Sequence, residues 1–374
     1  MRIGFLSFIF AISIFFLSKV SASVLSDFKN ELNPEGRLRF QWKESIEKDR
    51  DVSSPTVLAR GGIFPYFEKK FQLGVEVSTY QNSSSGPDST IQFSNAMTSK
   101  SIGLSQIFLG FTSALPRFSK VNYSIKVGKF ASPFFISPML WDPLTRPEGL
   151  YQSFSWKNSS EDFSIGVFAA QLSADQIAQS SGNLRRSWIL AQGIFSEFLW
   201  SSDSQLKFST HLFHYQDPSE RLATYSGSKG NTYLGTLTND PTFRYEYSPI
   251  EIIGELRGKP LGFAARFLAA GAVNLRTPDK QRGFFLQGSL GETWKKESTV
   301  FDLSYIYAEP DLSVAAFSDS SYGHLNRKGP RAKASYFLLD NMCLSGVFLY
   351  AEILRASAQQ ASRKEFLAEL EAKF

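Results

Sequence analysis

The chain is poor in the residues from which disulfide frameworks and metal centres are built. It has one cysteine, Cys343, and three histidines among 374 residues. A single cysteine excludes an internal disulfide. The formal net charge of +5 comes without any basic run, so nucleic acid is not an expected partner. Nothing in the sequence indicates a cofactor or a bound metal.

Long apolar runs are also scarce, and the one present lies at the N-terminus. Arg2 precedes an apolar run from Ile3 to Leu17, and Val20-Ser21-Ala22 fits the small-residue rule for cleavage. Residues 1–22 are therefore predicted to be a secretory signal peptide, because the run is short of the ~20 residues that a membrane helix needs. Residues 23–35 are predicted to form a short periplasmic segment, and residues 36–374 the main domain.

Aromatic residues are abundant although the chain is not hydrophobic overall. Phenylalanine alone occurs 35 times and aromatics make up 15% of the chain, yet the mean hydropathy is −0.16. Because the aromatics are many and long apolar runs are few, the apolar residues must be dispersed along the chain. Strands that alternate between lipid and water disperse them in this way.

The last nine residues show this alternation most clearly. Phe366, Ala368, Leu370, Ala372 and Phe374 alternate with a mostly charged set. An amphipathic helix is an alternative interpretation, because Glu, Ala, Lys and Leu all favour helix. As a strand, this stretch would pair with Leu38–Trp42 and close a barrel, which abolishes both sheet edges.

The whole chain divides into about sixteen such strands, with an uncertainty of two. They are predicted at 37–43, 56–67, 71–78, 104–111, 121–127, 150–156, 163–170, 186–195, 205–215, 243–256, 263–275, 284–290, 301–307, 331–338, 342–350 and 366–374. The connections alternate between long and short. The fold class predicted from this is an all-β transmembrane antiparallel barrel, with short periplasmic turns and long outer loops.

Two groups of motifs resemble those of the "putative porin" family of Gram-negative outer membranes. The first group is Lys126–Phe130 (KVGKF), Ser132–Phe134 (SPF), Leu140–Asp142 (LWD) and Pro147–Gly149 (PEG). The second group is Tyr307–Asp311 (YAEPD), Ala316–Ser320 (AFSDS), Lys333–Tyr336 (KASY) and Asp340-Asn341. The resemblance implies a passive pore in the bacterial outer membrane, surrounded by lipid and lipopolysaccharide. It also implies that Phe366, Leu370 and Phe374 form a C-terminal signal for the barrel assembly machinery.

The loop at residues 130–149 is the best candidate for a pore constriction. By analogy with porins of this strand number, the third long loop folds into the barrel, and here it carries Asp142, Arg146 and Glu148. An ordinary surface loop with solvated charges is the alternative. Strand parity places further charges in the lumen. They are Arg37, Arg39, Lys43, Lys126, Lys207, Arg244, Arg266 and Lys333, with the acids Glu76, Glu246, Asp302, Glu369 and Glu371.

The predicted function is a water-filled channel for passive diffusion of small hydrophilic solutes or ions. The basic lumen residues outnumber the acidic ones, which predicts a mild anion preference. A structural or adhesive barrel with a plugged lumen is one alternative, and an outer-membrane lipid hydrolase is another. The sequence shows no nucleophile motif, and His211 and His214, three apart on a strand, should face opposite sides. Trimers are common for this architecture, so a homotrimer is a further expectation.

Overall fold

The computed structural model describes residues 32–374 except for 48–49, 69, 82–90, 93–99, 116–117, 179–183, 202, 237–238, 278–280 and 358. The predicted signal peptide, 1–22, lies outside the described residues, as does most of the predicted segment 23–35. Within the described part of the chain, no helix is long and apolar enough to cross a membrane.

Sixteen antiparallel strands close into one barrel. They are β1 (Pro34–Glu47), β2 (Arg50–Ile63), β3 (Phe71–Gln81), β4 (Lys100–Leu115), β5 (Phe118–Lys129), β6 (Glu148–Lys157), β7 (Phe163–Ala178), β8 (Leu184–Ser201), β9 (Ser204–Gln216), β10 (Pro249–Gly258), β11 (Ala265–Asn274), β12 (Arg282–Leu290), β13 (Thr299–Ala308), β14 (Arg327–Leu339), β15 (Met342–Ile353) and β16 (Arg363–Lys373). Each strand pairs with its neighbours in the chain, and β16 pairs with β1. The predicted fold class and strand count are confirmed.

The alternation of side chains gives the wall an apolar outer face and a polar inner face. In β1, Phe40 and Trp42 are 41% and 48% exposed on the outer face. Arg37 and Arg39 point inward and pair with acids of β16. Because each strand of the wall pairs with a neighbour on both sides and the sheet closes on itself, the barrel meets the hydrogen-bonding requirement of a lipid environment.

The closing seam between β1 and β16 places the C-terminal strand as predicted. Leu38 lies opposite Ala372, and Trp42 lies opposite Ala368. The Gly36 N–H donates to the Phe374 carbonyl (2.7 Å), and the Phe374 N–H donates back to the Gly36 carbonyl (3.1 Å). A Cβ on Gly36 would lie 2.1 Å from the Phe374 ring, so only glycine allows the ring to lie across β1. The C-terminal stretch is a strand, and the helix interpretation is wrong.

Deleting Phe374 is expected to impair barrel assembly while leaving export intact. The deletion removes both backbone bonds to Gly36 and the ring that covers it, so the seam ends one pair earlier. The measurement is the fraction of heat-modifiable, folded protein in the outer membrane. Phe374→Tyr keeps the ring and the backbone bonds and serves as the control. Normal folded yield from the deletion would count against this role.

In two of the strands the structure displaces the predicted first residue by six positions. The strand predicted at 56–67 is β2, Arg50–Ile63, and follows β1 almost directly, so the first outer connection is short. The strand predicted at 243–256 begins at Pro249, because Tyr247 is fully buried and donates to the Asp311 carboxylate (2.9 Å) of another loop. Arg244 and Glu246 consequently lie in a loop, and their predicted positions on the lumen wall are wrong.

Three connections fold together and bury a core of their own. They are residues 130–147, residues 217–248 and residues 309–326, and we refer to them as the loop body. Residues 217–248 contain helix α1 (Glu220–Gly227), which the Ser219 hydroxyl caps, and a small hairpin of Tyr233–Thr236 with Asn239–Phe243. Leu312, Val314, Ala315 and Leu325 in the third connection are fully buried. The loop body therefore packs as a folded unit.

Candidate functional site

The connection between β5 and β6, residues 130–147, crosses the interior of the barrel. On one side the Ala131 N–H donates to Gln106 of β4 (2.7 Å), and Arg146 Nε lies 3.8 Å from a Glu76 carboxylate oxygen on β3. On the other side the Ser137 N–H donates to the Glu251 carboxylate on β10 (3.1 Å). Since β3 and β10 are seven strands apart in a barrel of sixteen, these anchors lie on nearly opposite walls. We call residues 130–147 the crossing segment.

Aromatic packing holds the crossing segment in place. The Phe134 ring lies with its centroid 5.4 Å from Phe168, 5.5 Å from Phe213 and 5.8 Å from Trp141. Phe168 and Phe213 are inward-facing residues of β7 and β9 and are almost fully buried. Burying a large aromatic side chain contributes about 1.5–3 kcal/mol, so this cluster fixes one half of the segment against the wall.

The rest of the loop body packs on the crossing segment. Trp141 stacks on Phe317 at 5.4 Å between centroids, and the Asp142 N–H donates to the Phe317 carbonyl (2.6 Å). The Asp319 N–H donates to the Pro138 carbonyl (2.9 Å). The crossing segment is therefore held by contacts with the wall strands and with the 309–326 connection.

The carboxylate of Asp311 joins the other two connections of the loop body. It accepts hydrogen bonds from the Thr232 backbone and hydroxyl (2.9 and 2.8 Å) and from the Tyr247 hydroxyl. Burial raises the pKa of Tyr247 well above its ordinary value, and the nearby Asp311 carboxylate raises it further. The phenol consequently stays protonated and remains a donor. This network keeps residues 217–248 attached to residues 309–326.

The strands near the seam form a charged wall. Its cations and carboxylates pair with one another across the inner faces of β1, β2, β3, β14 and β16. The pairs are Arg37–Glu371, Arg39–Glu371 (3.3 Å), Arg39–Glu369 (3.5 Å), Lys43–Glu365 (2.9 Å), Arg60–Glu76 (3.9 Å) and Lys333–Glu369 (3.5 Å). We call the residues of these pairs the charged wall.

Arg146 brings the crossing segment to the charged wall. Its guanidinium and that of Arg60 both lie next to the same Glu76 carboxylate. Burial lowers the pKa of Arg146, whereas Glu76 and Asp142 raise it and Arg37 lowers it. The group is a cation, because an arginine guanidinium is not deprotonated in proteins. The predicted loop residue Arg146 and the predicted wall residue Glu76 are thus brought together.

The other two predicted loop residues do not join them. Asp142 accepts from the Leu144 N–H (2.7 Å) and faces Ser320 of the 309–326 connection. Glu148 is exposed, pairs in register with Lys129, and shares the outer face with Leu150. Its predicted position in the constriction is wrong, because Glu148 already belongs to β6 and strand parity turns it outward.

The remaining predicted lumen residues are spread around the wall. Arg266 pairs with Glu255, Lys207 lies 3.9 Å from Glu197, and Asp302 accepts from Ser289. Lys126 points inward with its ammonium 5.5 Å from the Phe108 ring. Exposed Glu246 lies 3.8 Å from Arg276 outside the wall. The groups on the wall strands surround the lumen but make no single cluster with Arg146.

Sequence reasoning missed Arg60, Glu251 and Glu365. Arg60 lies in the strand with the weakest alternation, because Leu58 and Phe64 share its inner face and are buried. Extending the β1–β2 pairing by register would have placed Arg60 opposite Arg37. Glu251 lies between Ile250 and Ile252 in β10. The alternation of a charged residue with two isoleucines could have indicated that Glu251 faces the lumen.

A serine, a histidine and a carboxylate also meet inside the wall. Ser209 Oγ lies 3.0 Å from His211 Nε2, and His211 Nδ1 lies 3.7 Å from a Glu251 oxygen. All three side chains are buried, and Ser209 already donates to the Ile194 carbonyl. A nucleophile must reach its substrate, so this arrangement gives no support to hydrolysis. His214 faces the opposite side of β9 and contacts Ser248 (2.8 Å). In the described residues no His/Cys/Asp/Glu group could hold a metal ion.

A closed sixteen-strand barrel with an apolar outer face and a charged interior defines a bacterial outer-membrane porin. The chain belongs to the family described as "Putative porin", which matches residues 30–247. A comparison with curated proteins finds no match.

Solved porin structures share the fold. OmpF of Salmonella typhi, solved with daunomycin, is similar over 93% of this chain and 99% of its own at 10% identity, with a TM-score of 0.54. OprB of Pseudomonas putida, in a high-pH structure, is similar over 94% of this chain and 96% of its own at 9% identity, with a TM-score of 0.59. At such low identity the likeness concerns the fold alone.

Proposed function

We propose that the protein is a diffusion channel for small hydrophilic solutes or ions, narrowed by the crossing segment. The observation that carries this proposal is the anchoring of that segment to Glu76 on one wall and Glu251 on the nearly opposite wall. A sixteen-strand barrel is wide enough to leave an aqueous channel, so a segment across it sets the narrowest point. The opening is bordered by the crossing segment and by the charged wall that Arg146 of this segment contacts.

The charge balance at this opening favours anions. Its cations are Arg37, Arg39, Lys43, Arg60, Arg146 and Lys333, and its carboxylates are Glu76, Glu365, Glu369 and Glu371. Six positive groups face four negative ones, and several arginines share one carboxylate. A lumen lined by an excess of one sign concentrates the opposite ion.

A salt gradient across a planar bilayer tests the proposed selectivity. With purified protein and potassium chloride at unequal concentrations, the reversal potential is expected to have the sign of chloride permeability. The preference should weaken at high salt, because the Debye length falls from about 10 Å at 0.1 M to about 3 Å at 1 M. Clear cation selectivity at low salt would contradict the proposal.

A structural or adhesive barrel with a plugged lumen is the second candidate. The size of the loop body favours it, because residues from three connections bury Trp141, Phe213 and Leu312 inside the barrel. The two candidates differ in ion flow. A plugged barrel gives no stepwise current in a bilayer at any salt concentration, whereas a constricted channel does.

The outer surface supports further proposed partners. Outer-membrane lipid and lipopolysaccharide would surround the apolar belt. The exposed side chains of Phe366, Leu370 and Phe374 share one face of the closing strand and would form the signal for the barrel assembly machinery. Association into a homotrimer is also part of this proposal.

A further inference from the structure

Three glutamines interrupt the apolar outer face of β6, β7 and β8. Gln152 lies between Leu150 and Phe154, which are 37% and 42% exposed on the outer face. Gln171 and Gln192 are themselves exposed. Strand parity fixes all three on the same face as these apolar neighbours, away from the buried interior.

The three side chains form one cluster. Gln152 is paired with Ala169 of β7, and Ala169 is paired in turn with Gln192 of β8. Gln171 follows Ala169 by two residues on the same face and so sits beside both of the others. Diagonal neighbours in a sheet lie about 7–8 Å apart, within reach of long side chains. We call these three residues the glutamine patch.

The patch lies within the depth of the membrane. Gln192 is four residues from Trp188 and eight from Trp200, two outer-face tryptophans at opposite ends of β8. At a rise of about 3.3 Å per residue these separations are about 13 and 26 Å along the tilted strand. An outer-membrane barrel has an apolar band about 25 Å tall between its aromatic girdles. The patch therefore faces the hydrocarbon layer.

The other strands show no such feature. On the outer faces of β1–β5 and β10–β16, none of the side chains that the structure describes is a glutamine or an asparagine. Gln41, Gln72, Gln106, Asn122, Asn274 and Gln287 all point inward. Gln216 at the end of β9 is a further exposed outer-face amide, so the amides are concentrated on β6–β9, one quarter of the circumference.

Lipid leaves these amides without partners. Each glutamine side chain has two donor hydrogens and an acceptor oxygen. Within the described residues the structure shows no hydrogen bond from any of the three side chains. Moving an amide into an apolar medium without a hydrogen bond costs about 2–7 kcal/mol. Acyl chains offer neither donors nor acceptors. A surface that covers the glutamine patch must therefore supply both.

We propose that the glutamine patch is the contact face between copies of this chain in the membrane, an inference that rests on the association into a homotrimer proposed above. Amides are self-complementary, since each one both donates and accepts, so a second copy meets the requirement without another kind of protein. Ala169 at the centre is small and lets two walls approach closely. The three strands of the patch together with the adjoining β9 present a face about 19 Å wide and about 26 Å tall, which amounts to about 1,000 Å² for two copies and reaches the lower size limit of a specific interface.

The test compares oligomeric mass in mild detergent for the wild type and for Q152L/Q171L/Q192L. The wild type is expected to be an oligomer and the triple variant a monomer, with the apparent dissociation constant raised about tenfold or more. The matched control, F267L/L286F/L303F, changes three exposed apolar side chains on β11–β13 and should remain oligomeric. Chemical cross-linking in native membranes repeats the comparison without detergent.

Three outcomes would overturn the proposal. They are a wild type that is monomeric in detergent and in cross-linked membranes, a triple variant that stays oligomeric, and a control that dissociates to the same extent. Lipopolysaccharide bound to a monomer through the patch would belong to the first outcome. The conductance of each barrel is recorded in parallel. It should not change in the triple variant, so failure of the interface is distinguishable from failure of the channel.

Discussion

Replacing the crossing segment with a short linker is expected to raise the single-channel conductance roughly twofold or more, because conductance grows with the open cross-section. Lys129 and Glu148 are directly paired on β5 and β6, so a two-residue hairpin linker can join the strands without disturbing their register. The segment crosses from β3 to β10, and its removal opens the interior between them. Planar-bilayer recording of unitary steps gives the measurement.

A second variant with the full-length chain tests the same role in case the shortened protein does not fold. Ser137→Ala with Glu251→Gln removes the Ser137 hydroxyl and the carboxylate that accepts from Ser137, but keeps the full chain. It should loosen the crossing segment where it meets β10 and give larger, noisier steps. Glu246→Gln, in an exposed ion pair with Arg276, is the control and should conduct like the wild type. Unchanged conductance in both segment variants would show that residues 130–147 do not set the narrowest point.

Neutralising Arg60 and Arg146 together is expected to abolish the anion preference. A unit charge about 7 Å from a permeating ion in water contributes about 0.6 kcal/mol, close to RT, so each charge changes the local ion concentration about threefold. The double variant Arg60→Gln/Arg146→Gln leaves four cations facing four carboxylates at the opening. The ratio of chloride to potassium permeability should fall severalfold, to about one or below, in reversal-potential measurements.

The variant Glu76→Gln provides the opposing control. It removes the carboxylate that both arginines share, so the anion preference should increase. Arg146→Lys keeps the charge at the end of the crossing segment and should keep the selectivity. If Glu76→Gln and the double arginine variant shift the reversal potential in the same direction, the charged wall does not determine selectivity.

The wall of the barrel could be predicted from the sequence because its side chains obey a two-residue period. Lipid on one side and water on the other leave little choice at Phe40, Arg39 or Leu370, and the seam register follows from matching the two faces. The prediction failed where another contact overrode the period. Tyr247 is drawn into the loop body by Asp311, which delays the start of β10 and removes Arg244 and Glu246 from the wall.

The interior could be predicted only in part. The analogy with porins and the position of residues 130–149 as the third long loop indicated a segment inside the barrel, but not its partners. Glu251 and Ser137 meet across 114 positions of sequence, and no local pattern reports such a contact. Glu148 shows the opposite error, since its charge suggested the lumen while its place as the first residue of β6 turns it outward.

The single-channel conductance of the purified wild type tests the central claim most directly. A constricted channel gives discrete, uniform steps that scale with salt concentration and remain smaller than those of the variant without the crossing segment. A barrel that inserts into the bilayer, shows heat-modifiable folding and yet gives no steps would contradict the claim.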